Sequence, residues 1–284
     1  MPAAGDGSGD RARGAAPRAR GATRRARDAT PDLEPSRIAE LFDRNAATYD
    51  RVNTIITFGR DASWRRWAAA QAVSQPVGAQ ASAPPALPPA PASAMPARPP
   101  RVLDACAGTG LLALELARRG ATVTAADAAP GMLAVARARL SAAGLPLRTV
   151  AADLADTAAA DRIGGPFDVV SLGFGLRYFA DPGALLRLLG GLLAPGGFLV
   201  LLEAVRPAQD LLGAAAGFYF FEVAPRLGAA LAGRAELYDV LSTSTRALGA
   251  AGEVAAHLRG AGFVVVAQRH FACGLVAGFV ARPA

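Results

Sequence analysis

A chain of 284 residues with 52% hydrophobic letters and a formal net charge of +7 is long enough for one large domain or two small ones. The hydrophobic share is inflated by alanine, roughly a quarter of the residues, and only 6% are aromatic. All 30 basic residues are arginine, and the missing lysine excludes a Walker-A phosphate loop, a Schiff-base enzyme and a Tyr-x-x-x-Lys dehydrogenase. Nucleotide bias toward Ala, Arg, Gly and Pro codons explains that composition more simply than selection for arginine. Cys106 and Cys273 lie far apart, so neither a disulfide framework nor a clustered metal site is legible, and a reducing cytoplasm is expected. No segment reads as membrane-spanning: the uncharged run 68–97 is dense in proline, and 192–205 is broken by Pro195, Gly196 and Gly197.

In chain order, residues 1–32 form an Arg/Ala/Gly-rich tail expected to be disordered. Seven arginines against three aspartates in 1–30 give it +4 of the total charge. Residues 33–73 are expected to form a helical lid segment. Ile38, Leu41 and Phe42, and again Trp64, Trp67 and Ala68, recur at i, i+3, i+4 and give each short helix one apolar stripe. The stretch 74–100, with nine prolines, reads as a linker. From residue 101 onward, β-like runs alternate with helical ones. The strands fall at 101–106 (RVLDAC), 121–126, 147–150, 167–172 (FDVVSL), 197–202 (GFLVLL), 263–266 and 274–280. Helices fall between them at 111–119, 130–140 and 181–193, the last with Asp181 as N-cap and Pro182 at its first position. Strands separated by helices of this length predict an α/β fold whose parallel sheet is covered on both faces, with 101–284 as its domain.

The most informative stretch is 102–140. One strand ends in Asp104 and is followed by Gly108-Thr109-Gly110, which lets backbone approach a ligand; the next ends in Asp127, suited to both hydroxyls of a ribose. This is a nucleoside cradle at the carboxyl edge of a sheet. Its spacing also satisfies a dinucleotide fingerprint, but three features oppose NAD. Asp104 stands where a pyrophosphate would be repelled and an ammonium or sulfonium attracted. Asp153 offers a further acid, suited to an adenine amino group. Residues 192–203 (LLAPGGFLVLLE) read as helix end, Pro-Gly-Gly turn and strand.

With D-x-x-x-G-T-G, the second-strand acid and L-x-P-G-G, the sequence closely resembles class I S-adenosylmethionine-dependent methyltransferases. Residues 42–66 (FDRNAATYDRVNTIITFGRDASWRR), the motif at 173–177 (GFGLR) and residues 218–246 narrow the resemblance to the menaquinone/ubiquinone C-methyltransferases of the UbiE/COQ5 family. It covers nearly everything from Leu33 onward except the proline-rich stretch. It implies a Rossmann-like, doubly wound, mostly parallel seven-stranded sheet. The implied reaction is methylation of a ring carbon of demethylmenaquinol, or of the related benzoquinol, with S-adenosyl-L-methionine as cofactor. Arg177 carries over as the catalytic candidate, stabilising a phenolate or acting through water, since guanidinium is a poor base. Asp104, Gly108, Thr109, Gly110, Asp127, Asp153 and Leu154 carry over as cofactor-binding residues. Tyr49, Asn53, Tyr219 and Arg246 are implied to line or cover the quinol pocket.

The chain departs from the family pattern at Leu111, where most relatives carry Asp, at Tyr178, where the family has Asn, and at the pair Asp153-Leu154. These departures bear on substrate more than on fold. The partner expected is a small polyprenyl quinol; peripheral contact with the inner face of the membrane and a homo-oligomer are left open. No N/D-P-P-Y/F motif follows the fourth strand, which argues against nucleic acid. Other readings are a same-fold methyltransferase acting on another small aromatic metabolite, a non-catalytic S-adenosylmethionine-binding module and, more distantly, an NAD-dependent oxidoreductase. His257, His270 and Cys106 read as surface or packing residues. Of Phe218, Tyr219, Phe220 and Phe221, four in a row cannot all point inward from a helix.

Overall fold

The structure, a computed structural model, describes residues 35–74, 98–232 and 236–284. The expected tail at 1–32 lies outside the described residues, as does the expected linker except for Ser74 and residues 98–100. The strands are β1 (Arg101–Ala105), β2 (Thr122–Asp127), β3 (Arg148–Ala151), β4 (Phe167–Gly173), β5 (Leu193–Ala204), β6 (Phe263–Phe271) and β7 (Val276–Pro283). They form one sheet in the order β3-β2-β1-β4-β5-β7-β6. The pairings are parallel except that β7 runs antiparallel to both β5 and β6.

The helices are α1 (Pro35–Ile56), α2 (Asp61–Ser74), α3 (Leu111–Ala117), α4 (Pro130–Ala142), α5 (Ala159–Ile163), α6 (Pro182–Gly191), α7 (Leu211–Phe218), α8 (Ala224–Ala232), α9 (Glu236–Leu248) and α10 (Ala251–Gly260). Alternation along each strand divides the core into two layers. Val102, Val169, Phe198 and Val200 pack with Trp64, Ala68, Ala72, Leu112, Leu116 and Leu140 from α2, α3 and α4. Leu103, Val170, Leu199 and Leu201 face the other way, against Ile163, Leu186, Leu189, Val254 and Leu258 from α5, α6 and α10. Helix α2 is therefore part of one core layer, while its first turns, with Asp61, Trp64 and Arg65, also line the cavity together with α1.

Several bounds differ from the sequence expectation. Strand β5 begins at Leu193 because that residue pairs with Phe167 before the Pro-Gly-Gly turn, where the register shifts. Strand β6 continues to Phe271 because its pairing with β7 does, so the exposed His270 lies within the strand and not after it. The helical region at the start is interrupted at Phe58 and Gly59, whose φ values of 53° and 69° are left-handed. A near-continuous helical run at 211–232, with a π-turn at Tyr219–Val223, has no counterpart in the periodicity reading. As expected, Asp181 caps α6, accepting from the Ala184 amide at 2.9 Å.

Central strand β1 has β2 on one side and β4 on the other. The connections leave it in opposite directions and open a crevice at the carboxyl ends of β1 and β4. Over that crevice lies α1, whose Leu41 and Val52 pack on Leu237, Tyr238 and Leu241 of α9.

Candidate active site

A cavity of about 1070 Å³ fills the crevice, mostly apolar in lining, with polar groups concentrated at the strand ends. Asp104, next to the end of β1, is buried; one oxygen accepts from the Ser171 hydroxyl at 2.7 Å, and Oδ2, buried as well, has no hydrogen-bond partner among the described residues. Burial pushes its pKa up to about 7, against the opposing hydrogen bond from Ser171. An unpartnered buried oxygen on the cavity wall suits a ligand that brings a positive group.

The glycine turn follows. Gly110 has φ 75°, and a Cβ there would stand 2.7 Å from the Ala136 Cβ, so only glycine allows α3 and α4 to approach this closely. The turn is fastened to the next strand by Asp127, whose carboxylate accepts from the Gly108 amide at 2.8 Å and the Ala129 amide at 2.9 Å. Burial raises the Asp127 pKa, opposed by those two amides. Each oxygen keeps a free lone pair for a ribose hydroxyl. Asp153 is held by an Asx turn, accepting from the Ala155 amide at 2.9 Å, and Leu154 is buried beside it. Asp104, Gly108, Thr109, Asp127, Asp153 and Leu154 all line the cavity; Gly110 stands behind the wall. Cys106, in the same turn, lines the cavity too; burial and the site's carboxylates push its thiol up, which disfavours the thiolate.

Helix α1 is clamped onto this turn. Asp50 accepts from the Thr109 hydroxyl at 2.7 Å and pairs with Arg139, which also donates to the Thr109 carbonyl. Two turns nearer the start of α1, Asp43 accepts from the Gly131 amide at 2.8 Å at the N-terminus of α4. The Thr109 hydroxyl is thus committed to α1, and what Thr109 turns toward a ligand is backbone.

Arg177, in the short 3-10 turn after β4, is buried and lines the cavity. Its guanidinium pairs with Glu203, a wholly buried carboxylate in β5, and donates to the Tyr178 hydroxyl at 2.9 Å. It also lies 4.7 Å from the centre of the Tyr178 ring and 5.9 Å from that of Phe174. Burial works against its charge, but Tyr178 and Glu203 outweigh it and hold the guanidinium pKa above its usual value, so Arg177 stays a cation. Burial likewise keeps Tyr178 a phenol. Among the described residues, the one hydrogen bond at the Tyr178 hydroxyl is received from Arg177, which leaves its proton free to donate into the cavity.

Of the expected substrate-pocket residues, Tyr49, Asn53 and Tyr219 line the cavity. Tyr49 packs edge-on against Phe42, which meets Tyr178 the same way, and Tyr219 donates to the Ile56 carbonyl at 2.8 Å. Arg246 does not line it. Its guanidinium lies 4.1 Å from the centre of the Phe221 ring and pairs with Glu222 at 3.4 Å, so it braces α9 against the π-turn from outside. Glu203 was missed, although the acid closing GFLVLLE repeats the signal that marked Asp104 and Asp127. Asp43 and Asp50 stood only within a motif, since their partners are more than 50 residues away in sequence.

Sheet order, glycine turn and strand-end acids define a class I S-adenosylmethionine-dependent methyltransferase. The sequence profile of the ubiE/COQ5 methyltransferase family matches residues 30–282. The chain is 37% identical over 227 residues to a demethylmenaquinone methyltransferase of Thermus thermophilus, covering 79% of this chain and 92% of that protein. It is 35% identical over 228 residues to the enzyme of that name from Deinococcus radiodurans, covering 80% and 84%. A solved O-methyltransferase family protein from Burkholderia thailandensis superposes with a TM-score of 0.50 at 22% identity, over 66% of this chain and about half (52%) of its own, a likeness of fold alone. The chain belongs to the UbiE/COQ5 methyltransferase family.

Proposed function

We propose that the protein methylates a ring carbon of demethylmenaquinol, giving menaquinol, with S-adenosyl-L-methionine as methyl donor. The observation that carries this reading is the placement of a buried cation, Arg177, on the wall of the same largely apolar cavity that the nucleoside cradle lines. The names carried by the Thermus and Deinococcus relatives favour the naphthoquinol over the benzoquinol.

S-adenosylmethionine, when bound, supplies an electrophilic methyl group on a sulfonium centre. The chain's residues fit it: Asp127 for the ribose hydroxyls, Asp153 and Leu154 for the adenine end, the backbone at Gly108–Gly110 for close approach, and the free Asp104 Oδ2 for the ammonium. A quinol ring carbon becomes nucleophilic as the neighbouring hydroxyl gives its proton to solvent, and once the carbon–methyl bond has formed that carbon gives up its own proton to solvent, restoring the aromatic ring. The residues on the Arg177 wall hold the hydroxyl oxygen's charge. Tyr178 donates a hydrogen bond, Arg177 polarises the Tyr178 hydroxyl and adds its own charge, and Glu203 fixes Arg177 in place. Arg177, held above its usual pKa, serves as the stabilising cation and not as a base. The apolar wall of Phe42, Tyr49, Phe174 and Tyr219 excludes water and suits a naphthalene ring.

Two measurements test this. S-adenosylmethionine should raise the melting temperature, and Asp127→Ala should abolish that rise; protection by NAD instead would refute the cofactor assignment. Incubation with methyl-labelled S-adenosylmethionine and short-chain demethylmenaquinol should label the quinol. No transfer by protein that still binds the cofactor would point to another aromatic acceptor or to a non-catalytic role.

A further inference from the structure

We infer that the face made by the turn at 55–60 and the outer side of the helical run at 211–231 docks on the surface of an anionic lipid bilayer, so that a prenylated substrate reaches the cavity directly from the membrane. The substrate part rests on the reading above; the docking face stands on its own observations.

Nine large apolar side chains are exposed among the described residues, and eight fall in these two segments. They are Ile55 and Phe58 in the first, and Leu211, Leu212, Phe218, Val223, Leu227 and Leu231 in the second; Leu211 is 86% exposed, Phe58 74%, Leu212 68% and Phe218 65%. Scattered apolar residues are ordinary on a protein surface, but such concentration in two adjoining segments is not. The segments touch. The Phe58 and Tyr219 rings lie 5.4 Å apart, and Tyr219 donates to the Ile56 carbonyl. Their inner sides, Ile56, Phe58, Ala216, Tyr219, Phe220 and Ala224, line the cavity. The exposed apolar surface is therefore continuous with the cavity wall, and Phe58 belongs to both. A polyprenyl tail leaving the cavity here would meet this surface.

Charge selects the occupant. The charged residues of 55–60 and 210–231 are Arg60, Arg226, Asp210 and Glu222, and Arg51 stands one helical turn before Ile55. The three arginines and Asp210 are exposed, whereas Glu222 is half-buried and paired with Arg226 at 3.2 Å and Arg246 at 3.4 Å, which leaves the face with a small positive excess. The stretch from Leu211 to Phe221 carries no charge. An apolar helical face flanked by arginines fits the boundary between headgroups and acyl chains of a negatively charged bilayer. A second copy of the chain fits less well, since a two-fold contact would set this net-positive face against itself.

The test uses full-length protein and flotation with vesicles of phosphatidylcholine, with or without phosphatidylglycerol. Wild type should float with the anionic vesicles and only weakly with the neutral ones. Leu212→Glu with Phe218→Glu, both exposed and outside the cavity lining, should lower the bound fraction about tenfold or more. That variant should keep the thermal shift with S-adenosylmethionine and full transfer to a soluble short-chain quinol, while losing transfer to a long-chain quinol embedded in vesicles. Wild type that does not float, or a variant that floats equally well, overturns the docking face. So does a wild-type dimer that these substitutions dissociate without any vesicle binding, which would assign the face to a second copy. Vesicle binding without transfer to any quinol refutes the substrate and leaves the docking face standing.

Discussion

At the scale of single residues, the site depends on two buried acids used in opposite ways. Asp104 keeps one oxygen unpartnered, and burial lifts its pKa to about 7, so near neutral pH the ligand-free protein holds a proton that a cationic ligand must displace. Affinity for S-adenosylmethionine should therefore rise with pH, by up to about tenfold per unit below 7, and level off above it. Titration calorimetry across this range should show the rise, and Asp104→Asn should flatten it. The same shift has a stability consequence. The folded carboxyl binds its proton more tightly than an unfolded one near 3.8, so its contribution is complete below that value and lost as pH rises through about 7. Glu203, in contrast, is fully paired. Arg177→Ala would take away its cation and leave it in the core with only the backbone amides of residues 177 and 204, costing about 3–5 kcal/mol. Arg177→Met combined with Glu203→Gln should recover most of that stability in thermal melts, yet transfer should stay about 10²–10³-fold down, because the cation facing the quinol oxygen is gone. Normal turnover by the double variant would remove Arg177 from the reaction.

At the scale of elements, the strands and their parallel sheet were legible because each buried parallel strand is a short apolar run and the spacers between runs are helix-length, whereas the order β3-β2-β1-β4-β5-β7-β6 is given by the structure. The cofactor cradle was legible for the same reason: its acids close those runs. What covers the cradle was not legible. Helix α1 is held by Asp43 to Gly131 and by Asp50 to Thr109 and Arg139, contacts that no local pattern announces. Arg246 shows the converse, a residue assigned to the pocket by motif that packing turns toward Glu222 and Phe221 instead. The Asp50–Arg139 pair is partly exposed, so its loss is worth about 0.5–1 kcal/mol. Asp50→Ala should therefore weaken S-adenosylmethionine binding about two- to fivefold. It should also speed amide exchange across Pro35–Ile56 while leaving the strands protected; unchanged exchange in α1 would mean that the clamp is not what holds it down.

At the scale of the whole molecule, more than half of the +7 belongs to residues 1–30, and the remainder of the chain is close to neutral. The bulk charge therefore says little about the site, whose wall carries the buried pair Arg177–Glu203. The high alanine content has a structural counterpart in α2, where Ala68, Ala69 and Ala72 are buried against the sheet. Among the described residues no helix is long and apolar enough to cross a membrane. The most direct measurement is the position of the transferred methyl group. With carbon-13 methyl-labelled S-adenosylmethionine and short-chain demethylmenaquinol, nuclear magnetic resonance of the product should show the label as a methyl on the ring carbon. A methoxy signal, or an unlabelled quinol in the presence of protein that binds the cofactor, would contradict it.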